Sequence, residues 1–177
     1  MELTHQYNPM HMPASTPVRV AIIVAALVAV VAGYRWWNNP ERLIHRLLAD
    51  VASALSHDGD EGGLGALTVA SLQTHLAPDI SIDMGSGAPP LRGRQDVIAM
   101  AVRVRASTPM VRVQFFDPEI ALADESSGTT RVTVQVTTRD AGGEEVAAAH
   151  DVTIALVRAE GRWQIARARV LPEQGAL

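Results

Sequence analysis

Between Arg19 and Arg35 fifteen consecutive residues, Val20 to Tyr34, carry no charge, and nearly all are Val, Ala, Ile or Leu. No polar stripe interrupts them, which separates the run from an amphipathic core helix. As a helix it covers roughly 22 Å. Letting Arg19 and Arg35 snorkel, with Trp36 and Trp37 at headgroup level, extends it towards the ~30 Å of a bilayer core. The pattern predicts a transmembrane helix over residues 18–37. A secretory signal cut after Ala32 is the rival, since Val30 and Ala32 suit the small-residue rule. Against it, the leader is long, Arg19 is its one basic side chain, and Tyr34, Trp36 and Trp37 form an aromatic belt.

Beyond the run the hydrophobic period changes. Asn39, Pro40 and Glu41 read as N-cap, first helical residue and first-turn acid. Ile44, Leu47, Leu48, Val51 and Leu55 then recur at three- and four-residue steps, opposite Arg42, Arg46 and Asp50. His57 to Gly63 reads as a loop, and a second helix runs from Leu64 to Leu76, stopped by Pro78. Asp79 to Asp83 alternates as a strand, with Ile80 and Ile82 on one face and Ser81 and Asp83 on the other. After a Gly/Pro-rich crossing, Gly93 opens a third helix with Val97, Ile98, Ala101 and Val102 as its buried stripe, ended by Pro109. The remainder reads as strands: Val111 to Phe116, Ile120 to Ala123, Arg131 to Thr138, Val146 to Arg158 and Arg162 to Val170. Their short connections predict antiparallel pairing, and helices followed by strands predict an α+β fold with helices on one face of a curved sheet.

Composition narrows the chemistry. The 137 residues from Glu41 onward carry thirteen arginines and eighteen acids, a net charge of -5, so a clustered basic surface for nucleic acid is not expected. The chain has no cysteine, which excludes disulfides, thiolate catalysis and cysteine-ligated zinc. It has no lysine either, which removes Schiff-base chemistry and the phosphate-loop lysine. The tail Met1 to Pro17 is polar and proline-bearing, too poor in apolar residues to fold alone. It lacks Lys and Arg, whereas Arg35, Arg42 and Arg46 follow the span closely, a bias that favours a cytoplasmic domain at a bacterial inner membrane.

The order of elements resembles a known family. The strand with its lead-in Leu76-Ala-Pro-Asp-Ile-Ser-Ile-Asp83, the segment Leu91-Arg-Gly-Arg-Gln-Asp-Val-Ile98 and the closing hairpin Val157-Arg-Ala-Glu-Gly-Arg-Trp-Gln-Ile165 look like the nuclear transport factor 2-like superfamily, nearest its SnoaL-like branch. Gly161, Trp163 and Ile165 are the most specific match. The resemblance covers residues 41–171 and leaves 172–177 as a tail. It implies a cystatin-like cone, a curved antiparallel sheet packed on three helices. Members include isomerases, dehydratases, cyclases and non-catalytic assembly modules, so the fold alone implies no activity.

In family enzymes of the ketosteroid isomerase kind a carboxylate near the first strand acts as base, beside a tyrosine and a protonated acid. An ungapped match puts Met84 at the base position with Asp83 one residue away, and a one-residue step reverses a strand face. Tyr7 and Tyr34 both precede the domain, so the phenolic donor is missing. Asp151 falls near the second acid's place. His150 shares a strand parity with Val146, Ala148, Val152, Ile154 and Leu156 and is either a pocket acid/base or a structural residue. Asp83 and His150 are the catalytic candidates. Asp151, Arg167 and Arg169 are binding candidates, with Asp151 expected to be solvated or paired with an arginine on Arg162 to Val170. Arg103 and Arg105 read as exposed on helix three. His45, His57 and His75 with Asp58, Asp60 and Glu61 match no metal-ligand spacing, so no metal and no cofactor are expected. Trp163 and Ile165 read as core.

The expectation is a membrane-anchored, non-catalytic binding or assembly subunit of a bacterial membrane complex, with the lipid bilayer and other membrane subunits as partners and no nucleic acid. Arg19, Arg35, Trp36 and Trp37 would mark the membrane interface. Ala21, Ala25, Ala26, Ala29, Ala32 and Gly33 offer small surfaces for helix packing, and a homodimer through the outer sheet face is open. The alternatives are an isomerase or lyase acting on a small apolar carbonyl compound, and a hydrophobic-ligand carrier.

Overall fold

A computed structural model describes residues 25, 26, 28–30, 39–59, 64–85, 87, 89–140 and 142–172. The chain divides into two units, residues 1–39 and 40–177. In the first, residues 25, 26 and 28–30 are helical. The rest of the span expected over 18–37, with Arg19, Arg35, Trp36 and Trp37, lies outside the described residues. Among the described residues no helix is long and apolar enough to cross a membrane.

The second unit is α+β. Helix α1 (Pro40–Leu55) starts at the predicted proline and buries Ile44, Leu47, Leu48, Val51 and Ala54 along one stripe. Helix α2 (Leu64–His75) and helix α3 (Arg94–Ser107) follow. Seven strands form one sheet: β1 (His57–Asp58), β2 (Leu76–Asp83), β3 (Leu91–Arg92), β4 (Met110–Leu122), β5 (Ser127–Arg139), β6 (Glu145–Ala159) and β7 (Arg162–Val170), in the order β1-β4-β5-β6-β7-β2-β3. Every neighbouring pair is antiparallel except β2 with β7, which run parallel. Short loops dictate antiparallel pairing only between strands consecutive in the chain, and β2 and β7 are separated by most of the domain.

Three further departures have local causes. Pro78 does not stop α2; the helix has already ended at His75, and Pro78 sits inside β2 next to a register irregularity between Leu76 and Ser81, where a missing N–H is tolerated. The two strands expected on either side of Asp117-Pro118 are one strand, β4, interrupted by a bulge between Phe116 and Glu119 with Asp117 at φ 49°. Such a bulge bends a strand without ending it, and this one helps to curl the sheet. Val102, expected in the buried stripe of α3, is 49% exposed: Val97 is buried, Ile98 and Ala101 pack on the core, and Val102 lies outside that contact.

The sheet's inner face carries the core. Ile80 on β2, Val132 on β5, Val152, Ile154 and Leu156 on β6, and Trp163 and Ile165 on β7 pack with the α1 stripe and with Val69 and Leu72 of α2. Trp163 and Ile165 are 4% and 5% exposed, which makes them core residues as expected. The hairpin between β6 and β7 turns through Glu160 (φ 51°) and Gly161 (φ 78°). Two consecutive positive φ values suit a tight right-twisted hairpin, and a glycine at the second keeps the strain small.

Candidate functional site

Directly paired strand residues share a sheet face, so the ladder settles where each candidate points. Asp83 pairs with Arg169, Arg169 with Thr153, and Thr153 with Arg131. These four lie on the outer face, away from the helices. Ile82, Ala168, Ile154 and Thr130 form the adjacent row on the inner face. His150 is three residues before Thr153 on the unbroken part of β6 and therefore has the inner parity, opposite Val134. Asp83 and His150 point to opposite faces, and the structure does not bring them together.

Each has its own surroundings. A carboxylate oxygen of Asp83 is 3.3 Å from Nε of Arg169, and the other accepts the backbone N–H of Gly85 at 3.0 Å. An ion-paired carboxylate on an open sheet face is a poor general base, because its oxygens are already engaged and the water around it competes for substrate. His150 keeps the apolar parity expected of it but is exposed, as are all the residues from Glu145 to Asp151. The buried part of that face begins at Val152, so the His150 ring lies beyond the core it was expected to join.

Asp151 is on the outer face, and its partners are not on β7. Arg131 of β5 is 3.4 Å from one carboxylate oxygen, and the Thr133 hydroxyl donates to the other at 2.9 Å. The correction follows from register: Asp151 is directly opposite Thr133, whereas β7 ends at Val170 opposite Val152. Both charged side chains are about half exposed, so the pair contributes about 0–1 kcal/mol. A groove of about 720 Å³ runs here, lined by Arg131, Thr133, His150, Asp151, Leu171 and Pro172. Arg167 lies on the outer face beside Ser81. At the far end of the β5–β6 hairpin Arg139 pairs with Glu145, each holding the other's charged form: the Arg139 pKa is raised and that of Glu145 lowered, chiefly by their mutual hydrogen bond.

The arginines expected to be exposed on α3 divide. Arg103 is exposed and Arg105 is half-buried. Among the described residues no group of three or more His, Asp and Glu side chains is placed to hold a metal ion.

His57, expected in the loop from His57 to Gly63 and weighed only as one of a histidine and acid cluster, is instead 7% exposed in the two-residue strand β1. Its Nε2 is 2.7 Å from the Thr108 carbonyl, which can only accept, so Nε2 carries the proton. With the Gly59 N–H donating to the Pro109 carbonyl at 2.8 Å, this ties the segment after α1 to the entry of β4. The Arg131 and Thr133 partners of Asp151 were missed by sequence reasoning, since cross-strand contacts depend on a register that alternation alone leaves open.

Comparison with known proteins bears on the fold. The solved structures it resembles include a protein of unknown function from Mycobacterium tuberculosis (18% identity, TM-score 0.61, covering 79% of this chain and 74% of that one). A protein with a cystatin-like fold from Caulobacter vibrioides aligns at 14% identity and TM-score 0.57, over 75% of this chain and 90% of that one. A hexachlorocyclohexane dehydrochlorinase aligns at 13% identity and TM-score 0.59, over 75% of this chain and 84% of that one. At such identities the likeness is one of fold. No curated protein matches the chain. A family model described as a SnoaL-like domain matches residues 42–169, from the first turn of α1 to the penultimate residue of β7, and the chain belongs to that SnoaL-like family.

Proposed function

We propose that this protein is a non-catalytic member of its family: a cup domain carried at a bacterial inner membrane by the apolar run Val20 to Tyr34, where it binds or assembles with other membrane subunits. The observation that carries the reading is the separation of Asp83 from His150 onto opposite sheet faces, with Asp83 engaged by Arg169. The family's isomerase chemistry needs a base and a proton donor converging on one substrate. Here the nearest acid to the base position turns outward, and the domain has no tyrosine to serve as donor. The inner face between sheet and helices is lined with packed aliphatic side chains. The apolar run and its flanking Arg19, Arg35, Trp36 and Trp37 support the membrane location, and the arginines after the run favour a cytoplasmic cup.

The test replaces Asp83 with Asn and His150 with Ala in the full chain. Both variants should fold normally and remain with the membrane fraction and with whatever subunits accompany the unaltered protein. Turnover of a small apolar carbonyl compound by the unaltered chain, lost in both variants while stability is retained, would establish the isomerase or lyase reading instead. Saturable uptake of an apolar ligand without turnover would establish a carrier.

A further inference from the structure

Strand β6 is covered unequally on its two edges. β5 pairs with it along Glu145–Val157, whereas β7 pairs with it only from Val152 onward. Among the described residues no strand lies against the β7 side of Glu145–Asp151, and all seven of those residues are exposed. Such an edge offers a row of backbone donors and acceptors to another strand.

Two hydrogen bonds fix which residues hold that row. On the β5 side the Arg158 N–H donates to the Ser126 carbonyl at 2.7 Å, and on the β7 side the Leu171 N–H donates to the Asp151 carbonyl at 2.8 Å. In an antiparallel ladder alternate residues direct their N–H and C=O groups to the same neighbour. Val146, Ala148 and His150 therefore turn theirs to β5, and Glu145, Ala147 and Ala149 turn theirs to the open side. Leu171 already holds the Asp151 carbonyl and β6 begins at Glu145, so the free length is Glu145–Ala149.

We propose that this edge pairs with the same edge of a second copy, antiparallel, about a two-fold axis at Ala147; the inference stands apart from the membrane reading above. An isologous contact has to be complementary to itself. About Ala147 the whole free length is used: Glu145 of each copy exchanges backbone hydrogen bonds with Ala149 of the other, and Ala147 with Ala147. No like charges meet, and the flanking residues are complementary, Glu144 on one strand and His150 on the other. Moving the axis to Ala148 sets Glu145 opposite Asp151, a like-charged pair that is destabilising. Moving it to Val146 sets Ala149 opposite Gly143, which turns the chain at φ 86°. On the inner face Val146 of one copy meets Ala148 of the other. The row Val113, Val136, Ala148 then continues into Val146, Thr138 and Val111 of the second copy, one apolar row across the axis. The alanines at the centre leave little bulk to obstruct approach.

The test uses the full chain in mild detergent and exploits its lack of cysteine. Directly opposite residues of a hydrogen-bonded pair have Cα atoms about 5.5 Å apart, within reach of a disulfide. Ala149 lies four residues from its own counterpart, roughly 14 Å, which is out of reach. The proposal expects oxidation of Ala147→Cys to give at least tenfold more disulfide-linked dimer than oxidation of Ala149→Cys. It also expects the detergent-corrected mass of the unaltered chain to rise with concentration to that of two copies. Ala147→Glu, which sets two carboxylates against each other at an exposed position, should stay at one copy. The Val132 and Ile154 amides, protected from hydrogen exchange, report that each variant is folded. Equal cross-linking of both cysteine variants, or none in either, overturns the proposal. A two-copy mass that persists in Ala147→Glu assigns the association to another surface and overturns it too. A one-copy mass at every concentration with the Ala147 and Ala149 amides protected gives the edge to the chain itself, and is equally fatal.

Discussion

Replacing Thr130 with valine should make the protein more stable. Thr130 is 1% exposed on β5, on the inner face between Ile120 and Ile154, and its hydroxyl has no hydrogen-bond partner among the described residues. A buried hydroxyl without a partner costs about 1–3 kcal/mol by protein mutational data. Valine keeps the branched shape and χ1 preference and exchanges only the hydroxyl for a methyl, so the packing on Ile120 and Ile154 is preserved. The expected gain is about 1–2 kcal/mol, below the full penalty because some strain accompanies the slightly larger methyl. For a domain of this size that raises the melting midpoint by roughly 4–8 °C. Urea denaturation of the full chain in detergent, followed by circular dichroism, should show a higher midpoint with an unchanged slope, the signature of altered stability at constant exposed area. Thr130→Ser, which keeps the hydroxyl and loses the methyl, should instead destabilise by about 1 kcal/mol. A loss of 1 kcal/mol or more in Thr130→Val would refute the reasoning, because it would mean that the hydroxyl is satisfied in the folded state.

Other expectations follow from the same geometry. Leu156→Ala, at a 1% exposed position with Gly128 opposite it on β5, should lower stability by about 3–5 kcal/mol in urea melts, since Gly128 offers no side chain on that edge to fill the space. Val146→Ala, at a 55% exposed position, should change it by less than about 0.5 kcal/mol. His57→Ala removes the donor to the Thr108 carbonyl and should cost about 1–3 kcal/mol, with early hydrogen exchange at Met110 and Val111 as the local readout. In the β4–β5 turn, the Ser126 N–H and the Ser127 and Ser126 hydroxyls hold the Asp124 pKa down to about 2 from 3.8. A folded-state pKa below the unfolded one contributes stability that is complete above pH 3.8 and is lost as pH falls through 2. Ser126→Ala with Ser127→Ala should shift the Asp124 carboxyl titration upward by NMR and flatten that acid limb.

The parts of the fold that could be read from the chain are those set by local periodicity. The α1 stripe from Ile44 to Leu55 and the alternation of Ile80 and Ile82 against Ser81 and Asp83 needed only nearest neighbours in sequence. The closing hairpin at Glu160-Gly161 needed only turn chemistry. What escaped were features created by distant pairing. The parallel contact of β2 with β7, the short strand at His57 and the continuity of β4 through its Asp117 bulge depend on long-range register. The candidate site suffered most. Parity placed His150 and Asp83 on the correct sides of their own strands, but which side was common to both required the β2–β7–β6 ladder, and that ladder sets them apart.

The central claim is that the cup serves as an assembly module at a membrane and not as an enzyme. Native mass spectrometry of the full chain, extracted from membranes in mild detergent, tests it most directly. The account predicts the intact 18.9 kDa chain bound to at least one integral membrane protein at fixed stoichiometry, unchanged by Asp83→Asn or His150→Ala. A shortened, water-soluble chain recovered alone would contradict it.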